Sequence, residues 1–225
     1  MVYRLHKTET AMPSAREHVK VVIPWREDES RLPGFNWVCE YYKHRFGPNC
    51  LCISPSPEGP FNRAAAINAG VRQFPGHTVF IADADCFLCD HAINRSVEEV
   101  PDDKVLIPHS YFVPGNVRQK RKLINEQDPK ELVRANWWRT RRKLRYKAPA
   151  GIWVVNADFF LEDPLDERFV GWGCEDTEFL TRVPFTRLPG PLYHIVHKRP
   201  NEKYVKRNKR LKARLVRSRR ENRNQ

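Results

Sequence analysis

The sequence predicts an α/β domain whose sheet begins as a run of parallel strands, and three observations carry that prediction. Strand-like apolar runs and helix-period segments alternate through the first eighty residues. The third apolar run, Thr78-Val79-Phe80-Ile81-Ala82, ends abruptly in Asp83-Ala84-Asp85. Positive charge is concentrated in two stretches that fall outside this alternation.

Taken in order, residues 1–17 show no sustained period and read as a loosely attached leader. His18-Val19-Lys20-Val21-Val22-Ile23-Pro24 is a buried first strand, expected to stop at Pro24. Phe35, Val38, Cys39, Tyr42 and Phe46 recur at helical spacing, and Gly47-Pro48 ends that helix. Residues 49–54 alternate as a short strand, Pro55, Pro57, Gly59 and Pro60 form a turn, and a second helix opens over residues 61–70. With residues 78–82 as the next strand, the order strand, helix, strand, helix, strand predicts parallel pairing with right-handed crossovers. Ligands in such sheets sit beyond the carboxyl ends of the strands, where Trp25-Arg26, Phe61-Asn62-Arg63 and Asp83/Asp85 all fall.

Residues 104–108 and 151–155 read as further strands, with a short helix from Ala157. Between them, residues 111–150 break the rhythm as a basic insertion containing Trp137-Trp138. Gly171-Trp172-Gly173-Cys174-Glu175-Asp176 leads into a helix through Val183, and residues 191–197 form a last strand. Tyr204, Asn208, Leu211 and Leu215 share one stripe of a basic amphipathic C-terminal helix, expected to fray after about Arg217.

The net charge of +13 over 225 residues is uneven. Residues 118–147 carry 12 Lys/Arg against 3 acids and residues 198–225 carry 13 against 2, which leaves about −7 for the rest. An ordinary, mildly acidic body therefore carries two basic additions suited to a polyanion. No apolar run is long enough to cross a bilayer, and the first residues lack a signal core, so a cytoplasmic setting with six reduced cysteines is expected.

Asp83 and Asp85 lie two residues apart, which puts both on one face of an extended chain. Gathered carboxylates repel and are costly to desolvate, so a divalent ion is the natural partner, and Mg2+ or Mn2+ would in turn hold substrate phosphates. Alone, the pair would equally start a turn or cap a helix.

Four separated segments resemble one family, the β-1,4-galactosyltransferase and chondroitin-polymerase group of glycosyltransferase-A enzymes. They are Ile23-Pro24-Trp25-Arg26; Phe61-Asn62-Arg63-Ala64 with Asn68 and Gly70; Asp83-Ala84-Asp85; and Gly171-Trp172-Gly173-Cys174-Glu175-Asp176. Order and approximate spacing agree over residues 19–197. The resemblance implies a mixed sheet flanked by helices, a catalytic domain over residues 18–197, and transfer of a sugar from a UDP-sugar to an acceptor hydroxyl. It implies that Pro24, Arg26, Phe61, Asn62 and Arg63 hold the nucleotide, that Asp85 binds Mn2+ (or Mg2+), and that Asp83 contacts a metal-bound water or the ribose. A later histidine completes the metal site, His194 in preference to His197. Asp176 would be the general base, Glu175 a hydrogen-bonding partner of donor or acceptor, and Trp172 an apolar face for a sugar ring. Gly173 and Gly151 would let the backbone approach the donor sugar. A mobile loop with a tryptophan closes over the donor in this family; Trp137, Trp138 and Trp153 are the candidates. A zinc site made by Cys86-x-x-Cys89 with His194-x-x-His197 is the rival metal arrangement. Relatives of the animal secretory pathway carry an anchor and disulfides that are missing here, which points to a bacterial or phage source.

The basic additions suggest a polyanionic acceptor, most specifically DNA with a hydroxylated base such as 5-hydroxymethyl. Arg141, Arg142, Lys206, Arg207 and Arg210 would contact phosphates, and Trp137-Trp138 would stack on a displaced base. A protein or glycan hydroxyl is the alternative acceptor. A non-catalytic nucleic-acid-binding protein on a transferase body is the alternative of another class, against which the intact Asp85, Glu175 and Asp176 speak.

Overall fold

A strand whose successive residues are all apolar must be covered on both faces. In the computed structural model, which describes residues 18–126, 151–198 and 202–223, β1 (Val19–Trp25), apolar but for the partly exposed Lys20, comes close to this condition and is hydrogen-bonded between β2 (Leu51–Pro55) and β3 (Thr78–Ala82). Both neighbours run parallel to it, as the alternation predicts, with Val21 opposite Leu51 on one side and Phe80 on the other. The strand does not stop at Pro24: Pro24 pairs with Ser54 and Trp25 with Pro55. On the other side β3 faces only Val19–Val22, so the missing N–H of Pro24 interrupts no ladder there.

Beyond β3 the sheet changes direction. A short β4 (Cys86–Phe87) leaves for a second sheet, and β5 (Val105–Ile107), β7 (Ile152–Asn156) and β8 (Phe185–Arg187) continue the first. β7 is antiparallel to both β3 and β5, and β8 closes the edge parallel to β5, giving the order β2-β1-β3-β7-β5-β8. The second sheet sets β9 (Pro191–His194) between β4 and β6 (Tyr111–Pro114).

Two hydrophobic layers fill the faces of the large sheet. Val19, Val21, Ile23, Phe80 and Ala82 point toward α1 (Leu32–Phe46), meeting Phe35, Val38 and Tyr42. Val22, Val79, Ile81 and Trp153 point the other way. They pack on Ala64, Ile67 and Val71 of α2 (Arg63–Val71), Phe160 of α5 (Ala157–Glu162) and Phe179 of α6 (Glu175–Phe179). α3 (Asp90–Glu99) and α4 (Val117–Glu126) complete the body, and α7 (Val205–Arg223) follows it. The helix expected through Val183 ends at Phe179 and is continued by turns, while α7 runs past Arg217 to Arg223. Among the described residues no helix is long and apolar enough to cross a membrane. The residues 1–17 assigned to a leader lie outside the described residues.

The contact of α2 with β1 fixes the height of the site above the sheet. Asn68 is buried, donating to the Leu165 carbonyl at 2.8 Å and accepting from the Leu165 N–H at 3.1 Å. At Gly70 an added Cβ would stand 2.4 Å from Val22 Cγ1 and 3.1 Å from Ser54 Cβ. Val22 is β-branched and buried, so it cannot swing aside. Gly70→Ala is therefore expected to lower stability by roughly 1–2 kcal/mol in urea denaturation, because overpacking outweighs the better helix propensity of alanine.

Candidate active site

The chain leaves β3 in a tight turn. The Asp83 N–H donates to the Gly151 carbonyl at 2.8 Å and the Cys86 N–H returns to the Asp83 carbonyl at 3.1 Å. β4 then pairs Cys86 with His194, and the Ile195 N–H donates to the Asp85 carbonyl at 2.8 Å. This second sheet carries two imidazoles to one carboxylate: His197 Nε2 lies 3.0 Å and His194 Nε2 3.7 Å from the oxygens of Asp85. One ligand atom from each of the three lies within 4.8 Å of the others, and among the described residues this is the one group able to hold a metal ion. The thiols of Cys86 and Cys89 are not in it, so the four-ligand zinc arrangement does not form. Cys86 is buried and its thiol is held protonated by desolvation. The structure brings both histidines to Asp85, where the sequence favours one.

Arg31, at the start of α1, donates to Asp85 Oδ2 at 2.5 Å. Burial alone would raise the Asp85 pKa, but the His197 hydrogen bond, the charge of His194 and Arg31 hold it below the usual carboxylate range. Burial lowers the pKa of His194, whereas the hydrogen bond to Asp85 raises that of His197. The carboxylate thus stays ionised with Arg31 as its ion-pair partner on Oδ2, while the imidazole nitrogens beside it are the donor atoms that could join it on a divalent ion.

Arg63 joins this turn to the second acidic segment. Its guanidinium donates from Nε to Asp83 Oδ1 at 2.8 Å, places Nη2 2.7 Å from the same oxygen, and reaches Glu175 Oε1 from Nη1 at 3.4 Å. α2 begins at Arg63 because the Asn62 side chain caps it, accepting from the Ala65 N–H at 3.0 Å. Burial would lower the Arg63 pKa, but Asp83, Glu175 and Asp176 together raise it. Glu175 is 6 % exposed, and its Oε2 is buried with no partner among the described residues. Burial, with the charge of Asp176 next, pushes Glu175 up to about 7 against the pull of Arg63. Burial likewise raises Asp176.

Backbone conformation presents these two acids. Gly171, Gly173 and Cys174 take φ of 69°, 96° and 81°, a run of left-handed residues in which Cys174 has no glycine freedom. A Cβ at Gly171 would lie 2.4 Å from the Tyr204 ring. The loop is held from outside by α7: the wholly buried amide of Asn208 donates to the carbonyls of Val170 at 2.9 Å and Gly173 at 3.0 Å, with Trp172 O at 3.4 Å. Arg219 and Arg182 neutralise the buried Glu178 at 2.6 Å and 3.1 Å, pinning the far half of α7 to α6. The stripe Tyr204, Asn208 and Leu211 is thus a docking face for the acidic loop.

The other expected site residues distribute as follows. Pro24 is buried in β1. Arg26 donates to Gly59 O, Ser56 Oγ and Pro57 O and lies 5.7 Å from the Phe61 ring, closing the 56–59 turn. Phe61 accepts at its carbonyl from the Gly171 N–H at 2.7 Å, and Asn62 donates to the Glu167 carbonyl at 2.8 Å. Gly151 opens β7 with φ of 113°. Trp172 is 53 % exposed beside the acidic loop. Trp153 is 1 % exposed, packed on Phe179, so it cannot be the tryptophan of a moving lid. Lys206 and Arg210 are exposed on α7, and Arg207 donates to the Arg168 carbonyl. Trp137, Trp138, Arg141 and Arg142, with most of the 111–150 insertion, lie outside the described residues. Arg31 and Asn208 were missed as site components; Asn208 had a signal, as a neutral residue on the apolar stripe of a Lys/Arg run, and Arg31 had none.

No protein-family model matches the sequence, and no curated protein does. Among solved structures the chain is similar to a mutant Drosophila β-1,4-galactosyltransferase 7 in complex with manganese, UDP-Gal and xylobiose. The match has 19 % identity and a TM-score of 0.52 over 80 % of this chain and 71 % of that one. The likeness establishes the glycosyltransferase-A fold, a mixed sheet flanked by helices.

Two measurements test this description. Glu175 is protonated below about 4.5 in the unfolded chain but up to about 7 when folded, so its contribution to stability is full at low pH and lost as pH rises through 7. Glu175→Gln should therefore gain stability relative to the native protein from about pH 5 to pH 8 in urea titrations. Asn208→Ala leaves buried carbonyls unpaired and is expected to cost about 1–3 kcal/mol, with altered Trp172 fluorescence.

Proposed function

We propose that the protein is a metal-dependent glycosyltransferase that moves a sugar from a UDP-sugar to an acceptor hydroxyl with inversion at the anomeric carbon. The observation that carries this reading is the double engagement of Arg63, which draws Asp83 of the Asp-x-Asp turn and Glu175 of the Gly-Trp-Gly loop into one cleft. Their segments lie some ninety residues apart, and a purely structural role for either would not require the other. The resemblance of four motifs and the fold of a neighbour holding manganese and UDP-Gal support it.

Asp85, His194 and His197 offer a mixed oxygen and nitrogen set, which suits Mn2+ better than the all-oxygen shell preferred by Mg2+. When bound, the ion would supply Lewis-acid stabilisation of the leaving diphosphate. The protein's own groups do the remainder. Arg63 keeps Asp83 and Glu175 oriented at the donor side, and Asp176 takes the proton from the acceptor hydroxyl as its oxygen attacks the anomeric carbon. The bond to the diphosphate oxygen breaks on the opposite face, and UDP departs. Glu175 Oε2, buried and unpartnered, would accept from a sugar hydroxyl, and the exposed Trp172 would give a ring an apolar face; the unpaired oxygen and the exposed indole support these roles.

On the acceptor side the reading is a hydroxylated base in DNA, in a bacterial or phage-infected cytoplasm. The cationic α7, docked beside the acidic loop, supports this. The exposed Trp172 equally favours a glycan hydroxyl. Mass spectrometry of nucleosides and intact protein, after incubation of UDP-sugars and Mn2+ with hydroxymethylated and unmodified DNA, separates these acceptors.

Asp176→Asn is expected to lower transfer 10²- to 10⁴-fold while calorimetric UDP binding with Mn2+ changes little. Asp85→Asn should instead abolish the Mn2+ dependence of UDP binding. Native protein that binds UDP equally with Mn2+ and with EDTA would sink the proposal.

A further inference from the structure

We infer that a groove between the acidic loop and the outer face of α7 seats the phosphate backbone of a nucleic-acid acceptor, with Lys209, Lys212, Arg217 and Arg220 as its contacts. The inference rests on the transferase reading for its purpose, but its binding chemistry stands on the groove alone. The groove has a volume of about 570 Å³, and its seven lining residues come from only two places, Cys174 of the loop and α7. The helix residues fall at 209, 212, 213, 216, 217 and 220, steps of three and four that put them on one face. That face adjoins the docking stripe, so the contacts of Asn208, Leu211 and Arg219 fix the position of the cations without using them.

The lining chemistry selects the ligand. Four cations surround a small apolar floor of Ala213 and Val216, and none of the four is paired with a carboxylate among the described residues. Arg219, one residue from Arg220, is by contrast consumed by Glu178. A saccharide acceptor would call for amides, carboxylates and aromatic faces to meet its hydroxyls, and the groove holds none. Lysines and arginines on an aliphatic floor match a chain of phosphates, which positions a nucleic acid without reading its sequence. From residue 209 to 220 the helix rises about 16 Å, room for several phosphates. Placement completes the case, because Cys174 borders the groove and immediately precedes Glu175 and Asp176. Lys212 is near enough to act electrostatically on both Cys174 and Asp176. A backbone held here lies alongside the proposed base. The groove cations also differ from Lys206, Arg207 and Arg210, the helix residues that charge counting alone suggested.

The test is fluorescence anisotropy of the full chain with a labelled duplex of arbitrary sequence, in EDTA and without donor, from about 50 to 200 mM salt. Replacing all four cations with alanine should reduce the slope of log K against log salt by about 3.6, given roughly 0.9 per phosphate contact, and two unrelated duplexes should bind alike. A charge-matched variant with alanine at Lys43, Arg95, Lys104 and Arg214 should leave the slope within about 1 of the native value. Should the quadruple variant not fold, Lys212→Ala alone is read for a loss of about 0.9 in slope. Equal losses in the two variants would mean that net charge alone binds, and would overturn the site. So would native duplex binding in the groove variant together with lost binding to a polyuronate, which would make this an acidic-glycan groove. Mn2+-dependent UDP-sugar hydrolysis, run in parallel, reports on the catalytic reading separately from the binding result.

Discussion

The acidic side of the cleft is organised by one largely buried guanidinium. Asp83, Glu175 and Asp176 are brought together in a desolvated space, and three carboxylates so placed repel each other unless a cation stands among them. Arg63 is that cation, and its position is set by events far from the cleft. Asn62 caps the helix that begins at Arg63, and Asn68 and Gly70 settle that helix onto β1 and the segment at Leu165. A guanidinium suits this post because its planar fork serves two acceptors at once and its charge is never lost. The permanent charge of one side chain thus ties sheet geometry to cleft electrostatics.

Around this hub the two acids of the loop are not equivalent in environment to those of the turn. Asp85 is surrounded by donors and stays ionised, whereas Glu175 and Asp176 are burdened by burial and by each other. The second sheet builds the end where Asp85 meets His194, His197 and Arg31, while α7 braces the loop that carries Glu175 and Asp176.

Legibility in the sequence follows contact range. The strand and helix alternation, the Asp-x-Asp turn and the Gly-Trp-Gly segment are local patterns, and each lies where the sequence placed it. β4, β6 and β8 are two to four residues long and exist only through their partners, so no periodicity announces them. Arg31 reaches Asp85 across 54 residues, and Asn208 reaches the loop across 35 to 38; neither pairing leaves a spacing signature. Trp153 misled for a related reason: in a strand buried on both faces, a large aromatic gives no sign whether it lines a core or a cleft. The approach of His197 to Asp85 is not legible either, because the chain beyond β9 leaves the strand and turns back toward Asp85, a path that strand pattern cannot foresee.

The brace supplied by Asn208 also imposes an order on biosynthesis. Val170, Trp172 and Gly173 are translated well before the amide that caps their carbonyls. A ribosome-bound chain that has not yet emerged through α7 can assemble the sheet but holds the loop only from within the body, through the Gly171 N–H on the Phe61 carbonyl and Arg63 on Glu175. The outer support of the loop therefore arrives only once synthesis has passed the helix, so the carbonyls of Val170 and Gly173 are the last of its polar groups to find a protein partner.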